Sequence, residues 1–308
     1  MPAVDLKDMM FHNRCISKNA PIEIIIIGCG GTGSMFIRDA IRIAKVYNDS
    51  LPTKKSYRPE PRITDIILID GDIVETKNLV RQNFIPCDIG CYKSEVLAER
   101  YGAAFDMPIK AVTHYMEDPN ELFNLAFKRR SPYESDRMGT KLIFSFVDNV
   151  KTRLMLSNFM MGYYDEYIYN IHSSDTGKHI LSNADIVMID SGNSKYAGQV
   201  CISAVRSNYA PLNFYIPSVA EQNPDLLDPA NWDKFASEAS CEEAADSDPQ
   251  TISANATAAN ICMNIFHQLL FEGAIHYQKV MFNAQDNNAT IEVIKDKPEG
   301  PSIAKIVY

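Results

Sequence analysis

Pro21-Ile22-Glu23-Ile24-Ile25-Ile26-Ile27-Gly28-Cys29-Gly30-Gly31-Thr32-Gly33-Ser34 is the stretch on which the fold turns. The run Ile24 to Ile27 is β-branched and has no polar alternation, which predicts a strand buried on both faces, as in a parallel sheet. Glycines follow at once, and Ser34 to Tyr47 is predicted to be helical because apolar residues at 36, 37, 40, 41, 44 and 47 fall on one stripe. Strand, glycine turn and helix together give Gly28-x-Gly30-x-x-Gly33 a meaning: a phosphate can approach the helix N-terminus closely. The same residues also fit a tight turn that binds nothing.

Outward from this unit, residues 48–62 are rich in Pro, Lys and polar groups and read as an exposed loop insertion. A second buried strand, Ile63 to Ile69, ends at Asp70-Gly71-Asp72. A helix is expected over Ser94 to Tyr101, a short strand over Val112 to Tyr115 and a helix around Leu122 to Lys128. Leu142 to Val147 reads as a third buried strand ending at Asp148-Asn149, with a helix over Lys151 to Met161. Ile186 to Ile189, ending at Asp190, and Gln199 to Ala204 complete the strands of this part. Residues 206–250 lose periodicity and are rich in Asn, Pro, Asp and Glu; Thr251 to Phe271 returns to a helix. From about Val280 the tail alternates like a hairpin that turns near Asp286-Asn287-Asn288. The pattern predicts an α/β fold, a doubly wound Rossmann-like mixed sheet with a mixed or antiparallel C-terminal extension. The expected organisation is an N-terminal segment (1–20), a nucleotide-binding domain (21–205), an irregular crossover-like region (206–250), and a C-terminal helix and hairpin (251–308) that complete the same domain.

Composition narrows the classes. With 308 residues, 46% of them hydrophobic and 22% charged, the chain reads as an ordinary soluble globular protein with a sizeable core. A net charge of −9 without a long Lys/Arg run argues against a nucleic-acid binder that depends on counterion release. No apolar run approaches the ~20 residues that span a bilayer. The start, MPAVDLKDMMFHNRC, lacks a signal-type apolar core, so a cytoplasmic location is expected. Seven scattered cysteines argue against a disulfide framework. None forms Cys-x-x-Cys, so no structural zinc is expected; Cys87 and Cys91 alone supply two potential ligands at an unusual spacing.

In an open α/β sheet ligands bind beyond the carboxyl ends of the strands, so Gly28 to Gly33, Asp70 and Asp148 should face one crevice. An NAD(P)-dependent oxidoreductase competes for this pattern, with an acid about 20 residues past the glycines to hold the ribose. Asp70 lies further on, although the 48–62 loop could account for the excess. The stretch Asp70-Gly71-Asp72-Ile73-Val74-Glu75-Thr76-Lys77-Asn78-Leu79-Val80-Arg81-Gln82-Asn83-Phe84, followed by Lys93, separates the two readings. A dehydrogenase has no use for Asn-x-x-Arg and then Lys beside its dinucleotide. An enzyme that must neutralise a triphosphate and the charge developing as pyrophosphate leaves does.

That stretch resembles the D-x-D-x-V-x-x-x-N-x-x-R-Q signature of the ThiF/MoeB and ubiquitin-activating superfamily. The resemblance implies an adenylyltransferase that uses ATP and Mg²⁺ to activate the C-terminal carboxylate of a small ubiquitin-like or sulfur-carrier-like protein with a flexible tail. It implies Gly28, Gly30, Gly31, Gly33, Asp72 and Gln82 around the nucleotide, and Asp70 on the ribose hydroxyls. It further implies Asn78, Arg81 and Lys93 on the phosphates and Asp148 on Mg²⁺. A homodimer is implied as well, with Arg14, the sole arginine before the first strand, as the residue a partner subunit would lend. A non-catalytic family member that keeps the fold as a binding module is the third class considered.

A narrower similarity runs through most of residues 21–280, including Phe84-Ile85-Pro86-Cys87-Asp88-Ile89-Gly90, Asp190-Ser191-Gly192-Asn193 with Gly198-Gln199-Val200, and Pro217-Ser218-Val219-Ala220-Glu221. These resemble the ThiF-related proteins of the PRTRC cassette, a bacterial mobile-element cluster that also encodes a ubiquitin-like protein. Ubiquitin-activating members pass the acyl group to a cysteine, and Cys241 is the candidate. Glu238, Glu242 and Glu243 disfavour a thiolate there, whereas Ser240 and Glu243 fit a capping box that would put Cys241 in a first helical turn and lower its pKa. A cap with an incidental cysteine is the other reading of those residues.

Overall fold

The computed structural model describes residues 21–52, 61–127, 139–172, 186–205, 215–228, 250–273, 275 and 277–293. Its first strand, β1 (Ile22–Ile27), is as apolar in its surroundings as in its sequence: Ile22, Ile25 and Ile26 are wholly buried. A fully buried isoleucine contributes about 1.5–3 kcal/mol relative to exposure, so Ile22, Ile25 and Ile26 alone anchor the sheet. The chain continues through α1 (Gly31–Ser50), β2 (Ile63–Ile69), α2 (Lys93–Phe105), β3 (Ile109–Val112), α3 (Pro119–Phe127), β4 (Thr140–Ser145) and α4 (Val150–His172). Then come β5 (Ile186–Asn193), β6 (Ala197–Val205), β7 (Tyr215–Ile216), the short α5 (Val219–Gln222), α6 (Ile252–Phe271), β8 (Tyr277–Asn283) and β9 (Asn288–Val293).

Among the described residues these strands make one sheet in the order β3-β2-β1-β4-β5-β6-β8-β9, with β7 on β6. Pairing is parallel from β3 through β5 and antiparallel from β5 to β9. The mixed sheet is the expected one, and its C-terminal part is antiparallel. Both faces are covered. Ile24 and Ile26 point to the side where α1, α2 and α6 pack, and Ile25 and Ile27 to the side of α3 and α4. On the first face the rings of Phe36, Phe144 and Phe266 interlock, with centroids 4.5 Å (Phe36–Phe144) and 5.4 Å (Phe144–Phe266) apart. The C-terminal α6 therefore shares a core with the first helix rather than forming its own. No described helix is long and apolar enough to cross a membrane.

Several element boundaries differ from the sequence expectation, three of them beside the motifs. The helix after the glycines begins at Gly31, not Ser34, so two of the glycines lie inside its first turn. The strand near residue 112 runs over Ile109–Val112, paired with Ile66 to Ile69, which leaves Tyr115 outside the sheet. The fourth strand is Thr140–Ser145, because its partner β1 supplies residues only from Ile22 to Ile27.

Candidate functional site

Strand register brings the motifs together. Val112, Ile69, Ile27, Ser145 and Asp190 are partners in successive strand pairs and form one row across the sheet. Asp70, Gly28 and Phe146, the next residues of three of those strands, lead off the carboxyl edge together, while β5 runs on to Asn193. The chain leaves β1 toward β2 and β3, then returns to the other flank of β1 as β4. That is the topological switch at which open α/β sheets bind ligands.

The turn after β1 needs its glycines for reasons internal to the protein. Gly28 has φ +93°, and a Cβ there would lie 2.8 Å from the Phe146 carbonyl oxygen. At Gly33 a Cβ would sit 2.0 Å from the Gly28 carbonyl oxygen. The first turn of α1 is thus folded back tightly on the strand end. Its N-cap, Gly30, supplies no side-chain acceptor, so the orphan N–H groups of the helix start receive none from it.

Asp70 closes the other side of this turn. Its Oδ2 accepts the Cys29 N–H at 2.6 Å and its Oδ1 accepts the Asp72 N–H at 2.8 Å. Burial pushes the Asp70 carboxyl above the ordinary range, against the pull of Lys93 and of these two N–H groups. Each oxygen keeps a lone pair for a further donor, such as a sugar hydroxyl. Asp72 differs. Burial alone would raise it, yet Lys93 Nζ at 2.6 Å and the Tyr115 hydroxyl hold its carboxyl below the usual value. Lys93 is buried at the start of α2, its ammonium turned to this carboxylate.

Asn78, Arg81 and Gln82 lie on a 3-10 turn (Thr76–Val80) and directly after it. Asn78 Oδ1 accepts the Glu75 N–H at 2.8 Å, and the Gln82 N–H bonds to the Asn78 carbonyl at 2.9 Å. Asn83 then pins the turn to the first turn of α1: its backbone and side-chain nitrogens donate to Oγ and O of Ser34, each at 3.1 Å. Arg100 of α2 holds the far end, bonding to Asp88 at 2.6 Å and to the Asn83 carbonyl at 2.9 Å. Gln82 Oε1 is buried with no hydrogen-bond partner among the described residues.

Asp148 stands exposed beyond β4, with no hydrogen bond or ion pair among the described residues. Behind it, Arg153 in the first turn of α4 donates to the Val147 carbonyl at 2.8 Å and to the Ser191 carbonyl at 3.2 Å, and its Nε lies 3.2 Å from the buried Asp190. Ser145 Oγ donates to that same carboxylate at 2.6 Å. Among the described residues no group of three or more His, Cys, Asp or Glu could hold a metal by itself. Asp148 offers a single exposed carboxylate beyond the end of β4, an oxygen donor of the kind Mg²⁺ takes one or two of from a protein.

The structure therefore places Gly28 to Gly33, Asp70, Asp72, Lys93 and Asp148 along one edge, and ties the Asn78–Gln82 turn to it through Asn83. Arg14 and Cys241 lie outside the described residues. Sequence reading did not single out Tyr115, Arg153 or Asn255, and it quoted Asn193 only within the Asp190 to Asn193 stretch. Tyr115 looked like a strand end and Arg153 like one position of the helix expected over Lys151 to Met161. The one available signal was Asn255, an amide inside the stretch of small residues from Ala254 to Ala259 of α6.

The fold and its edge define a doubly wound α/β protein of Rossmann-like type with an antiparallel extension. The chain belongs to the ThiF family, whose model matches residues 11–223, more than half of its length. Solved structures with the same fold include E. coli MccB with ATP (TM-score 0.52, 14% identity, covering 92% of this chain and 65% of that one). Another is E. coli MccB with AMPCPP and MccA (TM-score 0.51, 15% identity, covering 92% and 66%). A third is E. coli MccB with succinimide (TM-score 0.52, 14% identity, covering 92% and 66%). The chain thus spans slightly less than two thirds of the length of these MccB chains. A comparison with curated proteins finds no match.

Proposed function

We propose that this protein is an ATP- and Mg²⁺-dependent adenylyltransferase that activates the C-terminal carboxylate of a small ubiquitin-like or sulfur-carrier-like protein. The observation that carries the reading is Asp70, held by the Cys29 and Asp72 N–H groups beside an uncapped helix start, with Lys93 buried behind it. One carboxylate for a ribose and several donors and cations for phosphates stand within a single strand edge. Membership of the ThiF family and the fold shared with MccB, which has been solved with ATP, support it.

In the proposed reaction a carboxylate oxygen of the partner's last residue attacks the α-phosphorus of ATP. The bond to the bridging α–β oxygen breaks, and that oxygen leaves with the electron pair as pyrophosphate. Asp70 orients the ribose, while Asn78, Arg81 and Lys93 stabilise the charge that builds on the phosphates. Lys93 enters this step from its bond with Asp72, so the Asp72 carboxylate sets where the ammonium stands. Asp148 would hold Mg²⁺, which supplies Lewis-acid neutralisation of the phosphate oxygens. The reading includes a second step in which the Cys241 thiolate attacks the acyl carbon and AMP departs, giving a thioester. It also includes a homodimer in which Arg14 of one subunit reaches the other's site.

Mg²⁺-dependent ATP–pyrophosphate exchange, stimulated by a ubiquitin-like protein with a free C-terminal tail, tests the first step. Intact-mass measurement with and without Cys241→Ala tests the second: a thiol-sensitive adduct that disappears in the variant supports the thioester. ATP binding without exchange toward any such partner would instead indicate a binding module. NAD(H) affinity without ATP affinity would indicate an oxidoreductase.

A further inference from the structure

On the flank of the glycine turn away from Asp70, the site is built from neutral amides. α6 opens on Thr251, whose Oγ1 accepts the Ala254 N–H at 3.1 Å. One turn on, Asn255 is wholly buried. Its Oδ1 accepts from Asn193 Nδ2 at 2.8 Å and from the Thr32 hydroxyl at 3.3 Å. These bonds fix which way the carboxamide faces. Its Nδ2 has no hydrogen-bond partner among the described residues. That nitrogen is pressed against the first residue of α1: a Cβ on Gly31 would lie 2.3 Å from it. Gly31 is glycine, on this geometry, because a side chain 224 positions away in sequence occupies the space beside it.

Two deficits therefore coincide. The first turn of α1 has N–H groups with no side-chain cap, and a buried carboxamide N–H beside them lacks an acceptor. A buried donor left unpaired costs about 1–3 kcal/mol, and it persists where something outside the protein completes it. One anionic oxygen at the helix start satisfies both, since the helix dipole and the N–H groups favour negative charge there. The approach is open on the neighbouring residue, as a Cβ on Gly30 would meet nothing within 4 Å.

We propose that Asn255 is a nucleotide-binding residue, its Nδ2 donating to a phosphoryl oxygen held at the N-terminus of α1. The inference rests on the adenylyltransferase reading and adds to it a ligand contact from the C-terminal helix. Thr32 and Asn193 act through Asn255 as positioning residues, turning its amide toward the loop.

The test is calorimetric titration of the full chain with Mg²⁺-ATP and, separately, with adenosine, which keeps the base and ribose but has no phosphate. Asn255→Asp retains an acceptor for Asn193 and Thr32 while replacing the donor with a second acceptor. The expected result is ATP affinity weakened at least about tenfold, with adenosine affinity within about twofold of the parent. Equal weakening of both ligands would show that Asn255 merely shapes the loop, and unchanged ATP affinity would show that it touches no phosphate; either overturns the inference alone. An unaltered chain that binds no ATP overturns the nucleotide reading and this inference with it. Should Asn255→Asp fail to fold, Asn255→Ser removes the same donor in a smaller side chain and is judged by the same two affinities.

Discussion

The Cys29 N–H meets Asp70 Oδ2 at 2.6 Å, so the glycine turn after β1 and the acid at the end of β2 are one rigid piece. The other oxygen of Asp70 is taken by the Asp72 N–H at 2.8 Å. Asp70→Asn must therefore set an NH₂ group against one of two N–H donors. We expect it to lower unfolding free energy by about 1–3 kcal/mol in urea titrations and to weaken ATP binding together with it. A variant that keeps full stability would show that the two N–H groups are indifferent to the carboxylate.

Two glycines four residues or fewer apart should respond in opposite ways. A Cβ at Gly33 would sit 2.0 Å from the Gly28 carbonyl oxygen, and nothing mobile stands there to yield. Gly33→Ala is expected to destabilise the fold by several kcal/mol, seen as a large fall in Tm or as insoluble protein. A Cβ at Gly30 would meet nothing within 4 Å. Gly30→Ala should melt like the parent yet lose most of the Tm rise that ATP produces, because the methyl occupies the approach of a phosphate.

Arg81→Ala and Asp148→Ala are expected to slow pyrophosphate exchange by roughly 10²–10³ each if both groups act on charge that develops in the transition state. Asp148 has no hydrogen bond or ion pair among the described residues. Its removal should therefore leave thermal unfolding unchanged, which separates a catalytic from a structural loss. Full exchange in both variants would remove them from the reaction.

Acid should undo the Asp72–Lys93 pair. Because the folded Asp72 carboxyl lies below its ordinary value, the stabilisation is complete above the usual carboxylate range, roughly pH 4, and fades as pH falls through the folded value. Asp72→Asn should therefore be less stable than the parent at pH 7, and the gap should narrow as pH falls below the ordinary carboxylate range. The side chain of Asp72 is 45% exposed, so solvent screening keeps the expected gap to about 1 kcal/mol. A gap that grows on acidification would contradict the assignment.

Which parts of this protein can be read from sequence follows from how far apart the interacting residues lie. Ile24 to Ile27 announces a central strand because burial on both faces is written in consecutive residues, and Asp70 and Asp148 announce themselves because each ends such a strand. Glycines are poor helix formers, so sequence alone starts α1 three residues late; the close approaches of Gly33 to Gly28 and of Gly31 to Asn255 explain their presence inside it. The Asn193–Asn255–Thr32 contacts join β5, α6 and α1, and no local pattern encodes them. Tyr115 was assigned to a strand that stops at Val112, so its hydroxyl on Asp72 was invisible until the register of β3 was known.

Arg153 supplies the remaining prediction. It bridges the ends of β4 and β5 through the Val147 and Ser191 carbonyls, and it lies over Gly192, where a Cβ would come within 2.6 Å of Nη2. Removing the guanidinium would leave Asp190, 4% exposed, as a buried carboxylate with Ser145 as its remaining side-chain partner among the described residues. Arg153→Ala should thus cost about 3–5 kcal/mol of stability, the penalty of breaking a buried pair from one side. Arg153→Lys keeps a charge for Asp190 and should recover most of the stability, but its single nitrogen cannot stand both beside Asp190, where Nε lies, and between the two carbonyls, where Nη2 lies. The turn that carries Asp148 would stay loose in that variant. Its signature should be a lower exchange rate with a normal melting curve, and with an optimum shifted to higher Mg²⁺. Equal recovery of stability and exchange by lysine would show that the charge alone, and not the bridge between the two strand ends, is what the site needs.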